Sequence, residues 1–183
     1  MIEIRELKQA QMHPGLLESF RHIQRITDKY VKKGNAYELV RTDEIRQWNA
    51  EKRIRLSQYL CRQADSGGAV VGAFASEGRL VGFTSLDGTL QGAADGPKYA
   101  NLTMLFVDDE WKRQGIGRNL FERICLCARD RKADRLFISA ISSYETIAFY
   151  FSMGCRDAKS IIESFVDTEE DRYLEYALKE DMR

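Results

Sequence analysis

Apolar and charged residues alternate in "IEIREL", with Ile2, Ile4 and Leu7 on one side and Glu3 and Arg5 on the other. That period of two predicts a strand with one buried face. Pro14 can open a helix in which Leu16, Phe20, Ile23 and Tyr30 recur at helical spacing until Gly34. A second helical stripe, Ile45, Trp48, Leu56, Tyr59 and Leu60, runs from Thr42 to about Asp65, where "DSGG" stops it. The segments "AVVGAFA" and "LVGFTSL", joined by "SEGR", predict a β-hairpin. "DGTLQGAADGPKYA" is the most loop-like part of the chain and leads into an apolar strand from about Tyr99 to Val107.

Behind that strand Ile116, Leu120, Ile124 and Cys127 or Ala128 keep a helical stripe to about Arg131, and "RLFISAI" follows as another strand. Strand, helix and strand form a βαβ unit, which is right-handed and parallel and places ligands at the carboxyl end of its first strand. "SYETIAFYFSMG" predicts a short helix stopped at Gly154, and "AKSIIESFV" and "RYLEYALK" a closing pair of strands. Early helices, a run of strands and one central crossover predict an α/β chain of the mixed-layer, α+β kind rather than a doubly wound sheet. At 183 residues the chain is expected to be one domain over 1–183.

Composition narrows the chemistry. Lys plus Arg and Asp plus Glu each number 28, so no global field draws the chain to nucleic acid or anionic lipid, and neither is expected as a partner. The N-terminus lacks the apolar core of a signal peptide, and no run approaches the ~20 apolar residues of a membrane span, so a cytoplasmic protein is expected. The four cysteines have neither disulfide-framework nor zinc spacing, and with only two histidines in the chain no metal site is expected. Cys61, Cys125, Cys127 and Cys155 are read as small packing residues.

The stretch "WKRQGIGRNL" carries the strongest chemical signal. Glycines between a strand and a helix let backbone amides approach a ligand, and a helix start beside Lys112, Arg113 and Arg118 suits phosphate oxygens. It lacks the P-loop spacing, and Leu120 stands at the third glycine position of the dinucleotide fingerprint. A lone glycine pair could equally close a turn, but here strand, acidic "DDEW", basic loop and amphipathic helix follow without interruption.

That run, "LTMLFVDDEWKRQGIGRNLFERI", resembles the acetyl-CoA-binding signature Q/R-x-x-G-x-G/A of the GNAT superfamily of N-acetyltransferases. Lys112 stands where glutamine or arginine is usual and Asp109 where proline is frequent. A second signature, N-x-x-A-x-x-F-Y-x-x-x-G-F, is followed from Ser143 to Cys155: Phe149, Tyr150 and Gly154 match, while Ser143, Thr146 and Cys155 depart. The resemblance implies a mixed, mostly antiparallel central sheet whose parallel fourth and fifth strands splay apart, flanked by helices. It implies acetyl-CoA as cosubstrate, with the pyrophosphate on the amides around Lys112, Arg113, Gln114, Gly115, Ile116, Gly117 and Arg118. The pantetheine arm would lie along Leu105, Phe106 and Val107, with Ser143 at the position of the arm-contacting asparagine.

By the same resemblance, Tyr150 would return a proton to the departing thiolate, as a phenol near pKa ~10 can for a thiol near ~8.5. The other reading of Tyr150, flanked by Phe149 and Phe151, is an aromatic core residue. A backbone amide at Leu105 or Phe106 would stabilise the oxyanion. Asn101 stands where some relatives have a glutamate base, leaving Thr103 with water, or an acid elsewhere, to take the amine's proton. The acid-rich "ESFVDTEEDRYLE" could draw in a basic acceptor, although a solvated hairpin tip is the commoner role of such a run. Trp48 and Tyr59 are read as core before acceptor pocket.

The function this implies is acetyl transfer from acetyl-CoA to a primary amine, of a small molecule first and of a protein lysine or N-terminus second. A CoA-binding module without turnover stands as the further alternative. Either a monomer or a homodimer is compatible with the sequence.

Overall fold

The computed structural model describes residues 1–92 and 95–178. Among the described residues, nine strands, β1 (Glu3–Glu6), β2 (Ile23–Lys33), β3 (Ala36–Gln47), β4 (Ala69–Phe74), β5 (Leu80–Gln91), β6 (Tyr99–Val107), β7 (Arg135–Ala140), β8 (Arg156–Asp157) and β9 (Arg172–Ala177), combine with three α-helices. The helices are α1 (Ala50–Asp65), α2 (Ile116–Asp130) and α3 (Tyr144–Ser152). Seven strands form one sheet in the order β1-β4-β5-β6-β7-β9-β8, while β2 and β3 form a separate two-stranded sheet. Within the large sheet only β6 and β7 run parallel.

Both faces of the sheet centre are covered. Alternate residues of a strand point to opposite faces: Ala69, Val71 and Ala73 of β4 join Leu120 and Ile124 of α2, while Val70 and Phe74 join Leu60 of α1. Every residue of β4 is therefore buried. Helix α2 inserts Ile116, Leu120, Phe121, Ile124, Cys125, Cys127 and Ala128, and each large apolar side chain so buried is worth about 1.5–3 kcal/mol. Burial also raises the thiols, Cys125 to about 12 and Cys127 above its ordinary value, so both pack as hydrophobes. Asn49 caps α1 by accepting from the Lys52 amide at 2.8 Å.

The mixed sheet, the 69–91 hairpin, the strand at Tyr99, both later helices and β9 agree with the sequence pattern, and β5 extends the second hairpin strand to Gln91. Ala93 and Ala94 of the expected loop, and Lys179 at the end of the expected last strand, lie outside the described residues. Three segments differ. The helix expected from Pro14 to Gly34 is instead a turn followed by strand β2, and the helix expected from Thr42 begins only at Ala50. Residues 36–47 are β3, leaving Trp48 between strand and helix and Ile45 55% exposed. Gly34 at φ +61° makes the reversal, with Lys33 opposite Ala36. "AKSIIESFV" forms a 3-10 turn (Glu163–Phe165) rather than a strand, and the acid-rich segment lies largely in the long connection between the antiparallel β8 and β9.

Candidate active site

The parallel pair β6–β7 is a fork. Its ladder ends at Asn101↔Phe137, although β6 continues to Val107 and β7 to Ala140, so Leu102–Val107 have no β7 partner. The cause lies on the other side of β6, where register shifts between Ser85 and Leu86 opposite Met104 and Leu102. Thr103 is the extra residue of this bulge, and a bulge bends its strand. Its hydroxyl lies 2.7 Å from that of Ser85. The bulge also re-aims the strand: Leu102 and then Leu105 and Val107 pack toward α2, while Met104 and Phe106 pack toward α1. Leu105, Phe106 and Val107, the expected arm-binding residues, are half-buried along the open edge.

At the far end of β6, Asp108 is fully buried and accepts from the Glu110 amide at 3.1 Å, starting a 3-10 turn (Asp109–Trp111). The glycine loop follows. Gly115 has φ +79° with open space where a Cβ would stand, and it begins α2 with no side-chain cap. The first amides of a helix have no intrahelical acceptor, so this uncapped start presents N–H groups and a positive dipole end to an anion. Arg113, Gln114 and Arg118 are exposed around it. A Cβ on Gly117 would stand 3.4 Å from the Phe149 ring, so the glycine loop and the second signature meet in space. Lys112 is turned toward the hairpin: its ammonium pairs with Asp109 and donates to the Ile23 carbonyl at 3.1 Å.

Tyr150 is 6% exposed, edge-on to Phe121 and Phe149 with centroids 6.2 and 5.2 Å away. Burial, with Cys155 beside it, pushes its pKa above the ordinary phenol value. Ser143 caps α3, its hydroxyl oxygen accepting from the Thr146 amide at 3.2 Å. The same oxygen accepts from the Gln24 carboxamide at 3.1 Å, so Ser143 is engaged with α3 and the hairpin.

Sequence reasoning missed the hairpin's part in the site. Strand β2 is pinned beside the end of β6, where Asp108 accepts from the Arg21 amide at 2.9 Å and Asp109 from the Ile23 amide at 2.5 Å. It is pinned again beyond β7, where the Tyr30 amide donates to the Ser142 carbonyl at 2.7 Å and Lys29 bridges to Ser143. The segment between these anchors spans the mouth of the fork. The only sequence signal for it was the "GN" turn after Lys33.

The face of the fork toward α1 is acidic. Asp171 is 8% exposed and accepts from Ser139 of β7 at 2.8 Å, and the same hydroxyl accepts from the Asp167 amide at 3.1 Å. Burial raises both carboxyls; Asp171 lifts Asp167 further, while the Ser139 hydrogen bond and then Arg46 of β3 partly offset the rise of Asp171. Tyr59, half-buried on α1, has its hydroxyl raised by burial, lowered by a hydrogen bond with Thr103, and raised by Asp167 and Asp87. Carboxylates and hydroxyls from α1, β5, β7 and the loop before β9 therefore share one field beside the bulge. Asn101 is buried nearby on β6 and supplies no base.

The family whose description is Acetyltransferase (GNAT) family matches residues 34–154. No curated protein matches the chain. Among solved structures, nourseothricin acetyltransferase superposes with a TM-score of 0.69 at 14% identity, covering 97% of this chain and 99% of that one. The Escherichia coli GNAT family N-acetyltransferase YhbS in complex with CoA gives 0.62 at 13% identity, covering 98% and 83%. The PaiA N-acetyltransferase of Thermoplasma acidophilum in complex with coenzyme A gives 0.58 at 16% identity, covering 97% and 99%. At these identities the likeness is one of fold.

Proposed function

Since the chain belongs to the GNAT acetyltransferase family and is an acyltransferase, we propose that it transfers the acetyl group of acetyl-CoA to a primary amine of a small, cationic molecule in a ternary complex. The observation that carries this reading is the open edge of β6 between an uncapped, glycine-led helix start and an acidic cluster. One end suits a pyrophosphate and the other an ammonium.

Acetyl-CoA supplies an activated acyl group as a thioester. The amides of Arg113 to Arg118 hold its phosphates, and the unpaired edge at Leu105 to Val107 hydrogen-bonds the arm as an added strand. An amide of that edge, at Leu105 or Phe106, faces the developing oxyanion. Asp167 and Asp171 attract the acceptor ammonium, which must lose a proton because an alkylamine of pKa ~10.4 is almost wholly charged near neutrality. Thr103 and Tyr59 offer hydroxyls through which that proton reaches Asp167 or solvent. The amine nitrogen then bonds to the acyl carbon, its surplus N–H proton leaves by the same hydroxyl relay to Asp167 or solvent, the carbon–sulfur bond breaks, and Tyr150 gives its hydroxyl proton to the thiolate. Tyr150 recovers a proton from solvent.

The test has two arms. Calorimetry should detect acetyl-CoA binding, and free-thiol release should follow with diamines and basic small molecules but not with lysine peptides. No acetyl-CoA binding defeats the reading; turnover on peptides alone moves the acceptor to proteins.

A further inference from the structure

Strand β5 bulges where β6 is about to part from β7. Leu86 lies opposite Leu102 and Leu90 opposite Ala100, so Asp87, Gly88 and Thr89 together face the single residue Asn101, the last rung of the β6–β7 ladder. The bulge is held from behind by close backbone. A Cβ on Gly88 would stand 2.1 Å from the Ser66 carbonyl oxygen and one on Gly68 2.3 Å from that of Leu86, so the loop after α1 and the bulge meet with no side chain between them. Leu86 packs toward α2, and alternation turns Asp87 to the α1 side. Its carboxylate is half-buried, accepts from the Thr89 amide at 2.8 Å and has no ion-pair partner among the described residues.

Asn101 stands beside it. It is 7% exposed and shares the face of Tyr99 and Phe137, with Ser139 and its bond to Asp171 two residues further along β7. Its carboxamide makes no hydrogen bond to the described residues, yet neither of its polar atoms is sealed from solvent. A polar side chain so deeply placed and left unbonded is rare unless a ligand meets it. The acids of this face therefore stand in two places: Asp171 beside the open half of the fork, and Asp87 level with its closed end. The strands that carry these sites are two spacings apart, about 10 Å, so one ammonium group cannot serve both. The Tyr59 hydroxyl, raised by burial and lowered by its bond with Thr103, is raised again by Asp167 and then Asp87, in keeping with a single cleft.

We infer that Asp87 and Asn101 form a second cation subsite within the acceptor site, and that the acceptor is a linear molecule with an ammonium group at each end. The end beside Asp167 and Asp171 is acetylated in the open half of the fork. The other is held at the closed end by the Asp87 carboxylate, with the Asn101 carboxamide oxygen accepting a second hydrogen bond from it. This rests on the acetyl-transfer reading above.

Acceptors that differ only at the far end test this: α,ω-diamines of increasing length, each beside the n-alkylamine of the same length, with free-thiol release as the readout. Wild-type protein should prefer the diamine in kcat/KM by roughly tenfold or more, the worth of a hydrogen bond to a charged group, with one best chain length. Asp87→Asn should lower that preference about tenfold and Asn101→Leu about threefold. Asp87→Glu, whose carboxylate reaches further, should keep the preference and move the best length to a shorter diamine, a shift that no merely supporting residue would produce. Wild-type protein without a diamine preference overturns the inference whatever the variants' stability. A preference that Asp87→Asn leaves intact also overturns it and gives the far end to another group. Turnover of monoamines and diamines alike removes the second subsite and leaves acetyl transfer standing, whereas wild-type protein that binds no acetyl-CoA removes both.

Discussion

At Tyr150, burial decides both the protonation state and the test. Its raised pKa means that the hydroxyl stays protonated throughout the working pH range, so it always has a proton to give and contributes no alkaline fall in rate. Tyr150→Phe should therefore lower kcat by about a hundredfold, in the range of positioned general acids, while leaving CoA affinity within about threefold. Thiol release and calorimetry measure the two separately; an unchanged kcat would return Tyr150 to the aromatic core. This residue was legible because its motif is local: thirteen consecutive positions carry helix, cap, tyrosine and stop. Asp87 was not, because only the folded chain sets its bulge against Asn101 and the loop after α1, and one aspartate in a glycine-rich stretch announces nothing.

Among the elements, the β2–β3 hairpin departs furthest from its sequence pattern. Its strands are half-exposed on both sides, so apolar positions follow no strict alternation, and Ile23, Ile26 and Tyr30 match a helix as well as a strand. Attachments at its ends hold it in place of a core. The tip is fastened by Arg172, whose guanidinium lies 4.7, 4.2 and 5.0 Å from the ring centroids of Tyr30, Tyr37 and Phe151 and binds Asp157 through two bonds of 2.6 and 2.7 Å. Replacing this buried side chain, Arg172→Leu, should cost roughly 2 kcal/mol and speed amide exchange through residues 23–47 before it affects β4 or β5. Lysine should not rescue it, lacking the planar fork that stacks and binds in two places. Thermal melts and hydrogen exchange read the two effects; uniform exchange across the molecule would refute the latch. By contrast α2 was legible to within a residue or two, since seven buried side chains on one helix impose their own period.

On the scale of the molecule, balanced charge conceals local imbalance. Net charge is zero, yet acids gather beside the fork and an uncapped helix start with basic neighbours lies beyond it. The acids carry a cost. A carboxyl whose pKa is raised in the folded state binds protons more readily there than when unfolded, so the penalty is absent at low pH and grows as pH rises through the folded pKa. Asp171→Asn should thus raise Tm at pH 7 and flatten its decline above about pH 4, the ordinary carboxyl pKa, while weakening the acceptor. A melt series across pH checks the first effect and KM for a diamine the second; a lower Tm at pH 7 would contradict it. The sheet around this cluster was legible because one βαβ unit between antiparallel strands constrains the topology strongly. The cluster was not, because only the folded chain shows that Ser139 and the segment before β9 bury Asp171.

The β2 segment fastened beside β6 and again beyond β7 turns an open fork into an eyelet. A long, thin ligand must be threaded through it, and whatever enters from the other side meets the thread already in place. Two-substrate kinetics should accordingly be ordered, with acetyl-CoA first on and CoA last off, so that CoA inhibits competitively against acetyl-CoA and noncompetitively against the amine. Loosening the fastening with Arg172→Leu should speed CoA release and relax that order toward random; product-inhibition patterns for both proteins would show it.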